Sequence, residues 1–252
     1  MKKLSVIKML RQYYKKQLFR PSFLGIFTNP FYIGRSKLFR EIKKCAPVIR
    51  GRVLDVGCGQ KPYQSLFQST EYIGLDVEES GHSHTNEQID VYYDGVQFPF
   101  ENNSFDAVIC NQVLEHIATP EITLSEIYRV LKPQSYMLLT VPFIADEHEQ
   151  PFDFYRYSSF GIKHLLQTVQ PSEQAGFDIV KIVKLNRNIA LVSAHLWNTY
   201  WYKLLKTRYP IVSLMITPII HAPITLLGYI FSLILPRTND FYTDLLILAR
   251  KK

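Results

Sequence analysis

Two acids and two glycines, spaced as in nucleotide-binding sites, are the first residues of this sequence that could do chemistry. The run Arg52–Gln60 reads R-V-L-D-V-G-C-G-Q, in which three apolar residues surround Asp55 and are followed by Gly57 and Gly59. This pattern predicts a short buried strand and then a sharp turn beneath a ligand. A second apolar run ends at Asp76, about 20 residues later, where doubly wound folds place an acid that reaches ribose hydroxyls.

The order of these residues differs from that of an ordinary dinucleotide site. Lys61 stands where a third closely spaced glycine would fall, and Asp55 comes before the glycines. Together with Asp76, the run resembles motif I and the following acid of class I S-adenosylmethionine-dependent methyltransferases. The resemblance implies a doubly wound, Rossmann-like α/β sheet, mostly parallel with an antiparallel last strand and with helices on both faces. It also implies S-adenosyl-L-methionine as the cofactor.

Further blocks of the same family follow in order. They are Asp94–Phe100, whose acid approaches the adenine amino group in the family, Ser104–Cys110 in the fourth strand, Asn111–His116 in the next turn, Arg129–Pro133 and Tyr136–Pro142. The resemblance runs from Gly51 to Phe177 and resumes at a last strand, Tyr242–Arg250. It assigns cofactor binding to Asp55, Gly57, Gly59, Asp76, Asp94 and Asn111.

The segment His148–Tyr157 is rich in groups that could serve a methyl acceptor, and it resembles an acceptor loop of some relatives. His148 is the candidate base, because a free imidazole titrates near neutral pH; a loop histidine can equally be a structural hydrogen-bonder. Asp153 and Arg156 are expected to pair and brace the loop. Tyr155, together with Tyr157, either lines the acceptor pocket or packs.

The sequence predicts no metal site. Asp146 to Glu149 are too closely spaced to fix the geometry of a ligand set, and His116 is interpreted as structural. The three cysteines are odd in number and form no C-x-x-C pair, which favours a reducing compartment. Lys8 interrupts the apolar run near the N-terminus, so a cleaved signal peptide is not expected.

Charge is concentrated at the N-terminus. Residues 1–40 hold ten Lys or Arg and no acid, whereas the remaining 212 residues carry a net charge of −3. A basic amphipathic helix over about 4–19 is therefore predicted, of the kind that binds an anionic membrane surface; the alternative is a helix that packs on the domain. Nucleic acid is not favoured as a partner, because the core is slightly acidic and no reader motif is present.

A charge-poor stretch, Ile211–Leu235, follows the aromatic run Trp197–Tyr202. Its length suits a membrane span, but it lies between two strands of one sheet and must return to its starting side. We expect a helical hairpin broken near Pro218–Pro223. The hairpin either dips into one leaflet of a membrane, covers a substrate tunnel or forms a homodimer face.

The predicted organisation is an N-terminal helical extension over 1–50 and a methyltransferase domain over 51–252, with an apolar helical insertion at about 188–238. A second helix is expected near Arg35–Ala46. Thr119 is expected to cap the helix that starts at Pro120, and Ser158 or Ser159 the next one.

These features together predict a cytoplasmic enzyme, peripheral to the inner face of a membrane. It would transfer a methyl group from S-adenosylmethionine to a small-molecule or lipid-like acceptor, such as a lipid or a lipid-linked glycan intermediate. Two alternatives stay open: a methyltransferase acting on a soluble metabolite, and a non-catalytic, cofactor-binding scaffold at the membrane.

Overall fold

The computed structural model describes residues 13–79, 87–169, 176–205 and 215–252. The chain divides into two compact units. Unit 1 contains Met1–Arg40 and Leu185–Thr243, and unit 2 contains Glu41–Lys184 and Asp244–Lys252. The structure thus groups most of the predicted N-terminal extension with the predicted insertion in unit 1.

Unit 2 is built on one mixed sheet, to which seven strands contribute in the described part of the chain. They are β1 (Arg50–Val56), β2 (Gln68–Val77), β3 (Val91–Tyr93), β4 (Phe105–Asn111), β5 (Leu131–Pro142), β6 (Phe177–Lys184) and β7 (Asp244–Lys251), in the order β3-β2-β1-β4-β5-β7-β6. The pairs from β3 to β5 are parallel, and β7 runs antiparallel to both of its neighbours. The predicted Rossmann-like fold is confirmed.

The central strands are apolar on both faces because helices cover both sides of a parallel sheet. Val53, Leu54 and Val56 of β1 are fully buried, as are Ala107 and Val108 of β4. These runs of consecutive buried residues explain why the sequence pattern located the strands well.

The helices are α1 (Tyr32–Cys45), α2 (Pro120–Val130), α3 (Ser159–Thr168), α4 (Ile189–Leu204) and α5 (Ala222–Ile234). The hydroxyl of Ser158 accepts a hydrogen bond from the Gly161 amide and caps α3, as predicted. The predicted cap at Thr119 is wrong, since its side chain makes no capping bond; its carbonyl oxygen instead accepts from the Ile122 amide. Of the predicted N-terminal helix, residues 13–19 are helical and the part before residue 13 lies outside the described residues.

In unit 1, α4 packs closely on α5. A side chain at Gly228 would come within 2.5 Å of the Ala194 side chain, so the two helices approach at a position that only glycine permits. Beside this contact, the buried amide of Asn198 donates to Thr225 over 2.8 Å and lies 3.3 Å from His221. A buried, satisfied polar pair of this kind fixes the register of the two helices.

The predicted break near Pro218–Pro223 is wrong, because the helix continues through these residues. A π-type turn over Thr217–His221 leads directly into α5, and its wider winding accommodates the missing proline N–H. Among the described residues, one helix, Thr217–Ile234, is long and apolar enough to cross a bilayer, with a mean hydropathy of 1.6. Lys184 pairs with Leu245 across β6 and β7, so the insertion starts and ends at neighbouring positions of one strand pair.

Candidate functional site

The sequence-predicted site residues of unit 2 lie at or just after the carboxyl ends of the parallel strands β1 to β5. These strands run parallel, so their carboxyl ends share one edge of the sheet. In open α/β sheets this edge is where ligands bind.

The turn after β1 has the left-handed backbone that its glycines suggested. Gly57 has φ +64° and Gly59 φ +46°. A Cβ at Gly57 would lie 2.4 Å from the Val113 side chain, so internal packing requires glycine at this position. At Gly59 an added Cβ would, among the described residues, meet Glu87 at 3.7 Å, which is an ordinary van der Waals contact. Gly59 is thus the position where a ligand can approach the main chain.

Asp76 is buried at the end of β2 and faces this turn. One of its carboxylate oxygens accepts a hydrogen bond from the Gly59 amide at 3.2 Å, and the other accepts from the Val77 amide at 2.9 Å. Each carboxylate oxygen has two lone pairs and can accept more than one hydrogen bond, which suits recognition of vicinal hydroxyls.

Asp55 is buried at the end of β1, where it accepts a hydrogen bond from the Tyr72 hydroxyl at 2.6 Å. Burial raises the pKa of Asp55 to about 7, against the lowering effects of Tyr72 and of the Lys61 ammonium. A cationic ligand beside this carboxyl would favour its charged form.

Lys61 and Asp90 form an ion pair that sequence reasoning missed. Lys61 has φ +48°, is buried and bonds Asp90, whose carboxylate also accepts from the Gly74 amide at 2.7 Å. Burial alone would raise the pKa of Asp90, but the Gly74 amide and Lys61 outweigh it and lower the pKa. Gly74 is required because a Cβ there would lie 2.4 Å from the Lys61 side chain. Lys61 and Asp90 are 29 residues apart, so no local sequence pattern predicted their pairing.

Asp94 and Asn111 lie after β3 and at the end of β4. Asp94 is exposed, and its Oδ1 accepts from the amides of Gln97 and Val96, each at 2.9 Å; these bonds lower its pKa. Asn111 accepts a hydrogen bond from the Thr140 hydroxyl of β5 at 2.7 Å. Both side chains are held in place, and their contact with a cofactor stays a prediction.

The residues of this edge fit S-adenosylmethionine by their chemistry. Asp76 offers carboxylate acceptors for ribose hydroxyls, and Gly59 offers a backbone position without a side chain. Asp55 offers a buried carboxyl that suits the cationic methionine part of the donor. The bound donor would supply an electrophilic methyl group on a sulfonium.

The predicted acceptor loop is braced by one bidentate ion pair. Arg156 contacts Oδ1 of Asp153 at 2.6 Å and Oδ2 at 2.7 Å, and it also donates to the Asp146 carbonyl at 2.6 Å. Burial would raise the pKa of Asp153, but Arg156 and the His148 amide lower it to about 2. Asp153 therefore remains an ionised brace, as the sequence suggested, and is not suited to proton transfer near neutral pH.

The same loop is fastened to the turn that follows β4. The amides of Phe154 and Tyr155 donate to the Glu115 carbonyl, at 2.8 and 3.2 Å. The Tyr155 hydroxyl donates to the Ala118 carbonyl, and the buried Tyr157 hydroxyl donates to the Leu114 carbonyl. Tyr157 is therefore a buried packing residue, whereas Tyr155 is partly exposed and is held by the hydrogen bond of its hydroxyl.

These bonds bring His148 beside His116, with ring centroids 4.8 Å apart and planes at 89°. Glu115 lies at the same place, with Oε1 3.8 Å from His116 Nε2. Glu115 is completely buried, and burial raises its pKa to about 8. Sequence reasoning did not select Glu115; an acid inside an otherwise apolar V-L-E-H turn was the available signal.

Comparison with known proteins identifies the family. The family described as "Methyltransferase domain" matches residues 32–181. A sterol 24-C-methyltransferase of Candida albicans is 31% identical over 125 residues, which cover 44% of this chain and 33% of that protein. A fatty-acid O-methyltransferase of Mycolicibacterium smegmatis is 30% identical over 114 residues, covering 41% of this chain and 42% of that protein.

A solved structure shares the fold along nearly the whole chain. It is a SAM-dependent methyltransferase from Archaeoglobus fulgidus, 21% identical, with a TM-score of 0.51 and coverage of 95% of this chain and 99% of that one. The chain spans less than half the length of the curated relatives named above. The family match covers more than half of this chain and confirms the predicted family and donor. The chain therefore belongs to the methyltransferase-domain family of S-adenosylmethionine-dependent enzymes.

Proposed function

We propose that this protein transfers the methyl group of S-adenosylmethionine to an amphipathic, lipid-like acceptor at the inner face of a membrane. The donor is held at the edge formed by Asp55, Gly59 and Asp76. The acceptor's nucleophilic atom is presented near the loop His148–Tyr157, which follows β5.

The observation that carries the membrane part is the exposed apolar surface of unit 1. On α5, Leu233 is 86% and Ile234 is 74% exposed, and Ile230 is also exposed. On α4, Trp197 and Tyr200 are exposed and meet edge to face, with centroids 5.9 Å apart. Side chains of this size and number in a single unit mark a surface that binds another apolar phase.

Charge in the same unit supports an anionic surface as the partner. Unit 1 has 15 Lys or Arg and one Asp or Glu, a net charge of +14. Each basic residue near an anionic bilayer is worth about 1 kcal/mol. Tryptophan and tyrosine next to Lys203 are typical of the headgroup level.

A groove between α4 and α5 favours an acceptor with an apolar chain. It has a volume of 580 Å³ and is lined by side chains that include Trp197, Trp201, Leu227, Phe231 and Leu235. The relatives named above methylate, by their names, a sterol and a fatty acid. These are acceptors of the class we propose.

The connection of the insertion favours attachment without a single crossing. Because Lys184 and Leu245 are paired neighbours, the chain must return to the side that it left. Partial insertion of the apolar helices into one leaflet satisfies this condition.

Flotation with phosphatidylcholine vesicles, with and without phosphatidylserine, tests the proposal. We expect the full chain to float with the anionic vesicles, and part of this binding to survive high salt. Leu233→Glu with Ile234→Glu removes two exposed apolar side chains, each worth about 1.5–3 kcal/mol when buried. This double variant should weaken salt-resistant binding at least about tenfold.

Two further variants serve as controls. Phe160→Glu changes a side chain of unit 2 that is 78% exposed and should leave flotation unchanged. Removing residues 1–12, which hold four Lys or Arg, should weaken binding chiefly at low salt. If the intact chain stays with the soluble fraction at every salt concentration and elutes as a dimer, the apolar surface is a subunit interface and the membrane proposal fails.

A further inference from the structure

Glu115 is a buried acid whose carboxylate oxygens have no hydrogen-bond partner among the described residues. Its side chain is completely buried, and neither Oε1 nor Oε2 has a hydrogen bond to another described residue. A buried carboxyl in this condition is costly unless it binds a proton or a cation.

Two histidines lie beside this carboxyl, and a backbone carbonyl holds the Nδ1 atom of each ring. Nδ1 of His116 lies 2.7 Å from the Phe152 carbonyl, and Nδ1 of His148 lies 3.0 Å from the Asp146 carbonyl. A carbonyl accepts only from a protonated nitrogen, so in each neutral ring the proton is on Nδ1 and the lone pair is on Nε2. A backbone carbonyl bonded to the second nitrogen is also the usual support of a metal-ligating histidine.

We infer that Glu115, His116 and His148 form a binding site for a divalent transition-metal ion. One ligand atom from each residue lies within 4.8 Å of the others, and Oε1 of Glu115 lies 3.8 Å from Nε2 of His116. Bonds of about 2.0–2.1 Å to a tetrahedral zinc ion place ligand atoms about 3.3 Å apart. Binding of the ion would therefore have to draw the three side chains closer together.

The ligand set identifies the class of ion. Two imidazoles and one carboxylate suit Zn²⁺ and its first-row neighbours better than Ca²⁺ or Mg²⁺, which prefer oxygen ligands. Three protein ligands also leave a coordination position for water or for an oxygen atom of a second molecule. Glu149 lies beside the site, with Oε2 3.8 Å from His116 Nε2.

The other available partner of Glu115 is Arg156. Its Nε is buried and lacks a hydrogen bond, but its two terminal nitrogens already neutralise Asp153 in a bidentate pair. The guanidinium charge is therefore already balanced, whereas the site formed by Glu115 and the two histidines has no positive charge of its own unless an imidazole is protonated.

This site departs from the sequence analysis, which found no metal-ligating pattern. Its ligands come from two segments more than 30 residues apart, and hydrogen bonds between the Glu115 turn and the loop bring them together. The inference does not depend on the proposed function, because it is tested without methyl donor or acceptor.

Calorimetric titration of the chelator-treated full chain with Zn²⁺, and with Mg²⁺ as a comparison, tests the inference. We expect one Zn²⁺ per chain and at least about tenfold weaker Mg²⁺ binding. Glu115→Gln, His116→Ala and His148→Ala should each weaken Zn²⁺ binding by about tenfold or more. His164→Ala, which removes an exposed histidine of the same unit, should bind like the wild type.

The absorption spectrum of bound Co²⁺ distinguishes metal binding from a purely structural role of the three residues. Co²⁺ bound by nitrogen and oxygen gives d–d absorption without the intense thiolate bands that Cys45, Cys58 or Cys110 would produce. Glu115→Gln keeps the side-chain volume and replaces the carboxyl by an amide that cannot ionise to bind the metal. Its folding, checked by circular dichroism, should therefore be preserved. The inference is overturned if the wild type binds no Zn²⁺, if the three variants bind like the wild type, or if thiolate bands appear.

Discussion

The two units of this chain differ in charge and in surface. Unit 1 carries a net charge of +14, whereas unit 2 has 14 basic and 21 acidic residues and a net charge of −7. Unit 1 exposes large apolar side chains along α4 and α5, while the buried acids Asp55, Asp76 and Glu115 belong to unit 2. Most of the family match, residues 32–181, falls within unit 2.

The difference indicates that the two units have different roles. Unit 2 holds the strand ends at which the donor and the reacting atoms belong, and unit 1 supplies the basic and apolar surface assigned to the membrane. Substitutions in unit 2 should therefore change chemistry or cofactor binding without changing vesicle binding.

The largest effect is expected at His148. His148→Ala should lower methyl-transfer turnover by about 10²–10⁴-fold, whether the imidazole removes a proton or binds a metal ion. The affinity for S-adenosylmethionine and flotation with vesicles should change little, because the hydrogen bonds of His148 stay within its own loop. Turnover near that of the wild type would remove His148 from the mechanism, and the Zn²⁺ titration separates its two possible roles.

A smaller effect concerns stability and pH. Burial raises the pKa of Asp55 from 3.8 to about 7, so between these values the folded chain binds more protons than the unfolded chain. The contribution of Asp55 to the free energy of unfolding therefore falls as pH rises from about 4 to 7. Between pH 5 and 8 the loss is on the order of 3 kcal/mol, at 1.36 kcal/mol per pKa unit.

Asp55→Asn should remove that part of the pH dependence, because an amide does not titrate. Urea unfolding of both proteins at pH 5 and pH 8, without cofactor, measures the difference. Equal losses of stability in the two proteins would show that Asp55 is ionised in the folded chain at both pH values.

The smallest effect is expected at Asp76. Asp76→Ala removes acceptors for ribose hydroxyls, each hydrogen bond to a charged acceptor contributing about 1.5–3 kcal/mol. Affinity for S-adenosylmethionine should fall by at least about tenfold in a calorimetric titration, with flotation unchanged. Asp76→Asn, which keeps one carbonyl acceptor, should fall between the wild type and the alanine variant. Unaltered affinity in both variants would exclude Asp76 from the donor site.

Much of unit 2 could be predicted because its signals are local. The apolar runs around Leu54 and Val108 marked the strands, and the acid-glycine order at Asp55 marked the ligand edge. The sheet, its antiparallel last strand and the family were predicted correctly on this basis.

The features that were missed depend on contacts between distant segments. Lys61 pairs with Asp90 only after β2 has joined the sheet, and Glu115 meets His148 only because the loop is bonded to its carbonyl. Pro218 and Pro223 suggested a broken helix. A π-type turn instead accommodates the lack of a proline N–H, and the helix continues. Periodicity and motif order contain no information about such tertiary adjustments.

Transfer of a tritiated methyl group from S-adenosylmethionine tests whether the protein methylates a lipid-like acceptor at a membrane. The purified full chain would be incubated with anionic vesicles that contain a total lipid extract of the source cells, and the products would be partitioned between organic solvent and water. We expect label in the organic phase, formed by vesicle-bound protein and reduced by His148→Ala. Label confined to a water-soluble product, formed by protein that stays off the vesicles, would contradict the proposal.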